Sequence, residues 1–136
     1  MRHIFDTMIQ KYILLFLFLF LFIPFTAKGG NVVWHERGDV TYTLQDKVGT
    51  VVTKAANLFE DDMKALTGNR CHTSGQGEVA VYQLDLASNK ELKLLETMQV
   101  PLLKFITRTD AFWIGVRNKR VIIVGSNGRG AAYGLL

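Results

Sequence analysis

A glycine-rich turn near the end of the chain carries the side chains best suited to binding chemistry. Ser126, Asn127 and Arg129 alternate with glycines in the sequence Gly-Ser-Asn-Gly-Arg-Gly of residues 125–130. A helix that begins after such a turn offers free backbone N–H groups to an anion, and a guanidinium forms paired hydrogen bonds with a carboxylate. These three side chains are therefore candidates for binding a carboxylate or for contacting a neighbouring domain.

The same glycines also suggest a phosphate cradle of the dinucleotide-binding type. That cradle requires G-x-G-x-x-G or G-x-G-x-x-A, whereas Tyr133 fills the third small position here. The tyrosine argues against a nucleotide site. A purely structural turn, in which glycines permit positive φ and close helix–sheet packing, stays open beside a ligand role.

A predicted hairpin holds this turn in position. Val121–Val124 is a run of β-branched residues, which is typical of a strand buried on both faces. Phe112–Val116 alternates apolar residues, and Asn118-Lys119 suits a two-residue turn between the strands. A helix of small residues is expected to begin at about Ala131.

The upstream part of the chain predicts a strand followed by a long helix. Val40–Leu44 alternates with period two, as in a half-buried strand. Residues 47–66 carry an apolar stripe at helical spacing. Asp46 is expected to cap the start of this helix, and Gly68 to end it.

The middle of the chain predicts a loop, a strand and a second helix. Asn69–Gly77 is polar and contains glycines, which indicates a loop, and Val79–Leu84 follows as a buried strand. Ser88 and Glu91 match a capping box that opens a helix ending near Met98. The fold class predicted from this order is an α/β (α+β) sandwich, with one mixed sheet, helices mainly on one face, and a truncated final helix.

Other reactive side chains do not assemble into a site. The acidic triplet at residues 60–62 lies on the long predicted helix, where neighbours point about 100° apart, so the three carboxylates cannot converge. Glu60 is expected to pair with Lys64 instead. Cys71 and His72, with His35 far away in sequence, are too few for a four-ligand zinc site. We expect no metal, no cofactor and no catalytic residue within this chain.

The first residues predict export. Basic residues precede an apolar run, Tyr12–Phe25, which Pro24 interrupts after about 13 residues, too few for a membrane span. We expect a signal peptide at 1–29, an irregular lead-in at 30–38, and a domain at 39–136 located in the periplasm or outside the cell, with no membrane contact after cleavage. Removing residues 1–29 lowers the formal net charge from +4 to +2, which gives no argument for nucleic-acid binding.

The segment Val-Ile-Ile-Val-Gly-Ser-Asn-Gly-Arg-Gly-Ala-Ala-Tyr-Gly-Leu-Leu at residues 121–136 resembles the segment closing the N-terminal domain of glycoside hydrolase family 115, the xylan α-glucuronidases. It is similar in type to the N-terminal domains of families 67 and 20. The resemblance extends from about Asp39 to the end. It implies an accessory domain, with the catalytic residues beyond Leu136 in a barrel that would be its partner.

Two functions follow as hypotheses. In the first, the chain is the non-catalytic N-terminal domain (fragment) of a secreted glycoside hydrolase that releases glucuronic acid side groups from xylan. Ser126, Asn127 and Arg129 would then contact either a uronate or the barrel. In the second, it is a self-contained exported carbohydrate- or protein-binding module. The short final helix with its two leucines favours the first, because it predicts that the polypeptide continues.

Overall fold

A five-stranded sheet forms the centre of the computed structural model, which describes residues 33–136. Its spatial order is β2-β1-β3-β5-β4; β4 pairs antiparallel with β5, and the other neighbours pair in parallel. The mixed sheet predicted from the sequence is thus confirmed. The signal peptide predicted at 1–29 lies outside the described residues. The strands are β1 (Val40–Leu44), β2 (Cys71–Thr73), β3 (Val79–Gln83), β4 (Phe112–Arg117) and β5 (Arg120–Gly125).

Three α-helices cover the sheet: α1 (Thr50–Thr67), α2 (Asn89–Thr97) and α3 (Gly128–Leu135). Helices α1 and α3 pack on one face, where their small and aromatic side chains meet Val40, Tyr42 and Ile123 in one apolar core. Helix α2 lies on the opposite face, where Leu95 is completely buried in a second core. Two of the three helices therefore share a face, in agreement with the predicted architecture. Within residues 33–136 no helix has the length and apolar character needed to span a membrane.

The predicted cap of the long helix is wrong, although its end is as expected. The N-cap is Gly49, and no side chain caps the helix. The Gly49 amide instead donates to the Gln83 side chain (2.7 Å), and the Asp46 amide donates to Glu91 of α2 (3.2 Å). These contacts hold residues 46–49 out of the helix. At the other end Gly68 has φ 72° and donates to the Lys64 carbonyl at 2.9 Å, as expected of a C-terminal glycine.

The polar stretch Asn69–Gly77 is not entirely loop, because it contains β2. This three-residue edge strand pairs with β1, and His72 and Thr73 are exposed. An exposed strand shows no apolar alternation, so its sequence gave no signal. In the acidic triplet, Glu60 accepts a hydrogen bond from the Tyr42 hydroxyl rather than pairing with Lys64.

The hairpin was predicted correctly, including its turn. Phe112 pairs with Gly125 and Arg117 with Arg120, so the turn comprises the two residues Asn118 and Lys119. Their φ values are 52° and 62°. Positive φ at both central positions is the type I′ geometry that matches the twist of the two strands.

The predicted capping box at the start of α2 is also present. The Ser88 hydroxyl accepts from the Glu91 amide (3.3 Å), and the Glu91 carboxylate accepts from the Ser88 amide (2.7 Å). Desolvation raises the pKa of Glu91, but hydrogen bonds from Ser88 and the Asp46 amide outweigh it, and the pKa is lowered overall from its ordinary 4.5.

This lowered pKa predicts a loss of stability in acid. A carboxyl group whose pKa is depressed on folding stabilises the protein above its unfolded-state pKa, and this stabilisation disappears as pH falls through the folded-state value. We expect the free energy of unfolding, measured with urea, to fall more steeply below about pH 4.5 in the wild type than in Glu91→Gln. Parallel pH profiles for the two proteins would contradict the assignment.

Candidate functional site

Ser126, the first candidate residue, follows β5 and is 7% exposed. Its amide donates to the Ala111 carbonyl oxygen (2.8 Å), and its hydroxyl accepts from the Ala111 amide (3.1 Å). Both polar groups thus join the turn to the segment that precedes β4. The hydroxyl is committed to this backbone contact rather than directed to solvent.

Asn127 is the N-cap of α3, so the helix begins at Gly128 and not near Ala131 as predicted. Its Oδ1 accepts from the Gly130 amide at 2.9 Å. Its Nδ2 donates to Asp110 Oδ1, also at 2.9 Å. An asparagine in this position supplies the acceptor that a free first turn lacks, which explains the earlier start.

Arg129 forms a two-point contact with the same carboxylate. Its Nε lies 3.1 Å from Asp110 Oδ1, and its terminal nitrogen lies 2.7 Å from Asp110 Oδ2. The side chain of Arg129 is 62% exposed and that of Asp110 25%. Asn127 and Arg129 therefore bind one carboxylate, which belongs to the chain itself, and the predicted contact with a ligand or another domain stays a prediction.

The glycines of the turn act through close backbone approach. A Cβ atom built at Gly125 would lie 2.0 Å from the Ala131 nitrogen, and one at Gly130 would lie 2.2 Å from the Ala111 oxygen. Positive φ, the other proposed reason for glycine, is found among the described glycines at Gly38 and Gly68 and not in this turn. Of the two structural reasons proposed for these glycines, close helix–sheet packing is therefore the one that applies.

The small residue that faces the sheet is Gly134 rather than residue 133. A Cβ at Gly134 would lie 2.6 Å from an Ile123 methyl group, whereas Tyr133 is 56% exposed. The close contact of α3 with β5 thus falls one residue later than the dinucleotide pattern requires. The turn therefore differs from a nucleotide cradle in two ways: a tyrosine stands at the third small position, and the close contact with the sheet is shifted by one residue.

The two histidines considered as metal ligands with Cys71 contact different carboxylates. His35 Nδ1 lies 3.0 Å from Glu78 Oε1, and His72 Nδ1 lies 4.0 Å from Asp39 Oδ2. Burial, then the nearby Glu60 and Glu78 carboxylates, raise the pKa of Cys71 to about 11. Across the part of the chain that the structure describes, no group of three potential ligands is suited to a metal ion.

A second polar centre, a pair of buried glutamines, escaped the sequence analysis. Gln45, 7% exposed, follows β1, and Gln83, 4% exposed, ends β3. The Gln45 amide group donates to the Gln83 carbonyl (2.9 Å) and accepts from the Gln83 backbone N–H (2.8 Å). The Gln83 side chain in turn binds Gly49 and Asp85. This network joins the carboxyl ends of two parallel strands to the start of α1.

Comparisons with known proteins find similarity among solved structures. No protein-family model matches the chain, and no curated protein matches it. Among solved structures it is similar to a family GH115 4-O-methyl-α-glucuronidase with specificity for decorated arabinogalactans, with a TM-score of 0.61 and 20% sequence identity. The match covers 74% of this chain and 13% of that one.

The comparison defines the class of the domain at the level of fold. The chain is an α/β domain whose fold also occurs in a glycoside hydrolase, and it spans only 13% of the length of that enzyme. The resemblance to family 115, seen in residues 121–136, is thus supported by a structural likeness.

Proposed function

We propose that this chain is a non-catalytic N-terminal domain of a secreted glycoside hydrolase that releases glucuronic acid side groups from plant polysaccharide such as xylan. The observation that carries this proposal is the fold shared with a GH115 glucuronidase over 74% of the chain. The segment at residues 121–136, which resembles family 115 in sequence, contributes to β5 and α3 of the domain.

The proposal of a non-catalytic role is supported by three carboxylates that form hydrogen bonds or ion pairs within the domain. Glycoside hydrolysis requires two carboxyl groups, or one and a positioned water, on either side of the scissile bond. Asp110 binds Arg129 and Asn127, and Glu91 belongs to the capping box of α2. Glu78 accepts from the Thr41 amide at 3.1 Å and contacts His35. These three carboxylates serve the fold, and we assign the chemistry to another domain of the polypeptide, as the family resemblance implies.

An exposed apolar surface beside the glycine turn is the proposed seat of that catalytic domain. Phe112 and Ile114 of β4 are 45% and 49% exposed, and Tyr133 of α3 is 56% exposed. Phe112 and Ile114 share one face of the edge strand, because alternate residues of a strand point to the same side. Apolar patches of this kind mark interaction surfaces. The proposed occupant is the catalytic barrel that the family resemblance implies, and the matched enzyme is long enough to contain such a further domain.

The proposal is tested by reading the open frame beyond the codon for Leu136 and expressing both the longer product and this chain. We expect the longer protein to release glucuronic acid from glucuronoxylan or decorated arabinogalactan, and this chain alone to release none. A stop codon directly after Leu136, or hydrolysis by this chain alone, would refute it. A stop codon would favour the binding-module hypothesis, which predicts glycan affinity in the chain by itself.

Export through residues 1–29 belongs to the same proposal and has its own test. We expect N-terminal sequencing of the mature protein to begin at Gly30, or at Lys28 if cleavage follows Ala27. A mature protein that retains residues 1–29 would refute export by this route.

The ligand role of Arg129 can be separated from its structural role in the longer enzyme. Because its guanidinium already binds Asp110, we expect Arg129→Ala to leave the KM for glucuronoxylan unchanged. The free energy of unfolding should fall by less than about 1 kcal/mol, as for other exposed ion pairs. Arg108→Ala, at another exposed arginine, is the control. A raised KM with unchanged kcat would instead indicate that the turn carrying Ser126, Asn127 and Arg129 contacts the substrate.

A further inference from the structure

A polar cleft of about 510 Å³ lies beside α2, at a place that the proposed function does not use. Helix α2 and the turns after it cover β3 and β5 through the core around Leu95. The cleft lies next to that core, where Thr43 and Leu44 of β1 and the two residues that follow the strand contribute to its lining. Its volume lies within the range of sites for small ligands, about 300–1,000 Å³.

The topology of the sheet favours a ligand at this place. From β1 the chain passes through α1, on one face of the sheet, to β2. Strand β3 is the other neighbour of β1, and it leads to α2 on the opposite face of the sheet. The strand order therefore changes direction between β1 and β3. In open α/β sheets ligands bind outside the carboxyl ends of the strands at such a point. Asp46 follows the carboxyl end of β1 and lines the cleft.

Tyr82 supplies a hydroxyl group that has no hydrogen-bond partner among residues 33–136, on a side chain that is largely buried. The residue is 8% exposed and lines the cleft, and its hydroxyl forms no hydrogen bond with any residue between 33 and 136. In that same range every fully buried side-chain nitrogen or oxygen has a partner, so the unpartnered Tyr82 hydroxyl keeps some contact with solvent. Burial raises the pKa of Tyr82, which keeps the hydroxyl protonated and able to donate.

Two lysines of α2 provide positive charge at the cleft. Lys90 and Lys93 are exposed, line it, and lie three residues apart, on neighbouring positions of the helix surface. Neither takes part in an ion pair within residues 33–136. Glu91, between them, is held by Ser88 and the Asp46 amide. The lysine ammonium groups are therefore available to an anionic ligand.

Two further polar side chains line the cleft, and only one of them is free to bind a ligand. The Thr43 hydroxyl already donates to the Ser74 carbonyl (2.8 Å) and accepts from the Gly77 amide (2.7 Å) and Arg120 (3.1 Å). Thr43 is thus part of the lining and not a ligand contact. The exposed carboxylate of Asp46 can accept hydrogen bonds from ligand hydroxyl groups.

We propose that this cleft binds one uronate sugar unit of a polysaccharide, with Lys90 and Lys93 contacting the carboxylate, and Tyr82 and Asp46 contacting the hydroxyl groups. The choice of a sugar acid rests on the proposed function, whereas the location rests on the cleft alone. The site is separate from the Arg129 turn and would hold the polysaccharide on the accessory domain.

The test is a titration of the ¹⁵N-labelled chain with sodium glucuronate, followed by amide chemical shifts, with glucose as the neutral comparison. We expect shifts concentrated in residues 43–46 and 88–97 for glucuronate and much smaller ones for glucose. Lys90→Gln combined with Lys93→Gln should raise Kd about tenfold or more, because each removes a charge-assisted hydrogen bond. Tyr82→Phe should raise Kd about fivefold, because a neutral hydrogen bond is lost.

Lys54→Gln on α1 is the matched control, because Lys54 is exposed and does not line the cleft. Thermal unfolding of each variant checks that it is folded. Shifts confined to other regions, a Kd insensitive to the lysine variants, or equal binding of glucose would overturn the inference. Hydrolysis by the longer protein does not depend on this cleft, so failure of the titration leaves the proposed function standing. Failure of the hydrolysis assay likewise leaves the titration result intact.

Discussion

Gly130→Ala is expected to lower the free energy of unfolding by about 3 kcal/mol or more, at the upper end of the range for overpacking. The new methyl group would lie 2.2 Å from the carbonyl oxygen of Ala111. That oxygen is a backbone atom and accepts the Ser126 amide hydrogen bond, so no side chain can rotate to make room. The substitution must displace either α3 or the segment before β4.

The measurement is urea unfolding followed by circular dichroism, with Gly75→Ala as the control. A Cβ at Gly75 would meet nothing within 4 Å, and its φ is not positive. We expect this control to change stability by less than about 0.5 kcal/mol, as is usual for surface substitutions. Equal effects of the two substitutions would show that the approach of α3 to Ala111 does not stabilise the fold.

Gln45→Leu is expected to be the second most damaging change, by about 3 kcal/mol, because it leaves a buried donor and a buried acceptor unpaired. In the native chain the Gln45 side chain binds both the N–H and the carbonyl of Gln83, which is 4% exposed. Leucine is similar in volume, so the loss would come from the unpaired Gln83 backbone rather than from a cavity.

Gln76→Leu is the matched control, since Gln76 is exposed and lies in a loop. Urea unfolding of the two variants isolates the buried pair from the general effect of adding a leucine. A stability loss for Gln45→Leu no greater than for Gln76→Leu would mean that water replaces the missing amide.

Much of the fold follows from local sequence signals. The hairpin of β4 and β5 was predictable because alternation, β-branching and a two-residue turn all lie within residues 112–124. The capping box of Ser88 and Glu91 was predictable because its partners are three residues apart. Strand β2 was not, because three partly exposed residues form a strand only through pairing with β1.

The start of α1 shows how a distant contact decides a local boundary. Asp46 is of a residue type that commonly caps helices, but its backbone amide donates a hydrogen bond to Glu91, 45 residues away. Gly49 is held by Gln83 across 34 residues. Neither contact can be inferred from the residues next to the helix, so the helix was expected to begin too early.

The candidate site was predicted in part for the same reason. Asn127 and Arg129 bind the same carboxylate, whereas Ser126 binds the backbone of Ala111, and a role of the three in contacting a ligand or another domain stays a prediction. Asp110, the shared partner of Asn127 and Arg129, lies 17 residues before Asn127 and has φ 56°, a conformation that aspartate tolerates better than most residues. Sequence alone shows neither that this loop folds back on the turn nor that the Gln45–Gln83 pair forms.

The protonated state of Cys71 has a practical consequence for handling the protein. A thiol with a pKa of about 11 is ionised in only about one molecule in ten thousand at pH 7, and thiolate is the species that attacks disulfides. Air oxidation and exchange with glutathione should therefore be slow at this residue. The purified chain is expected to stay free of covalent dimers without added reductant, and maleimide dyes should label it only sluggishly near neutral pH.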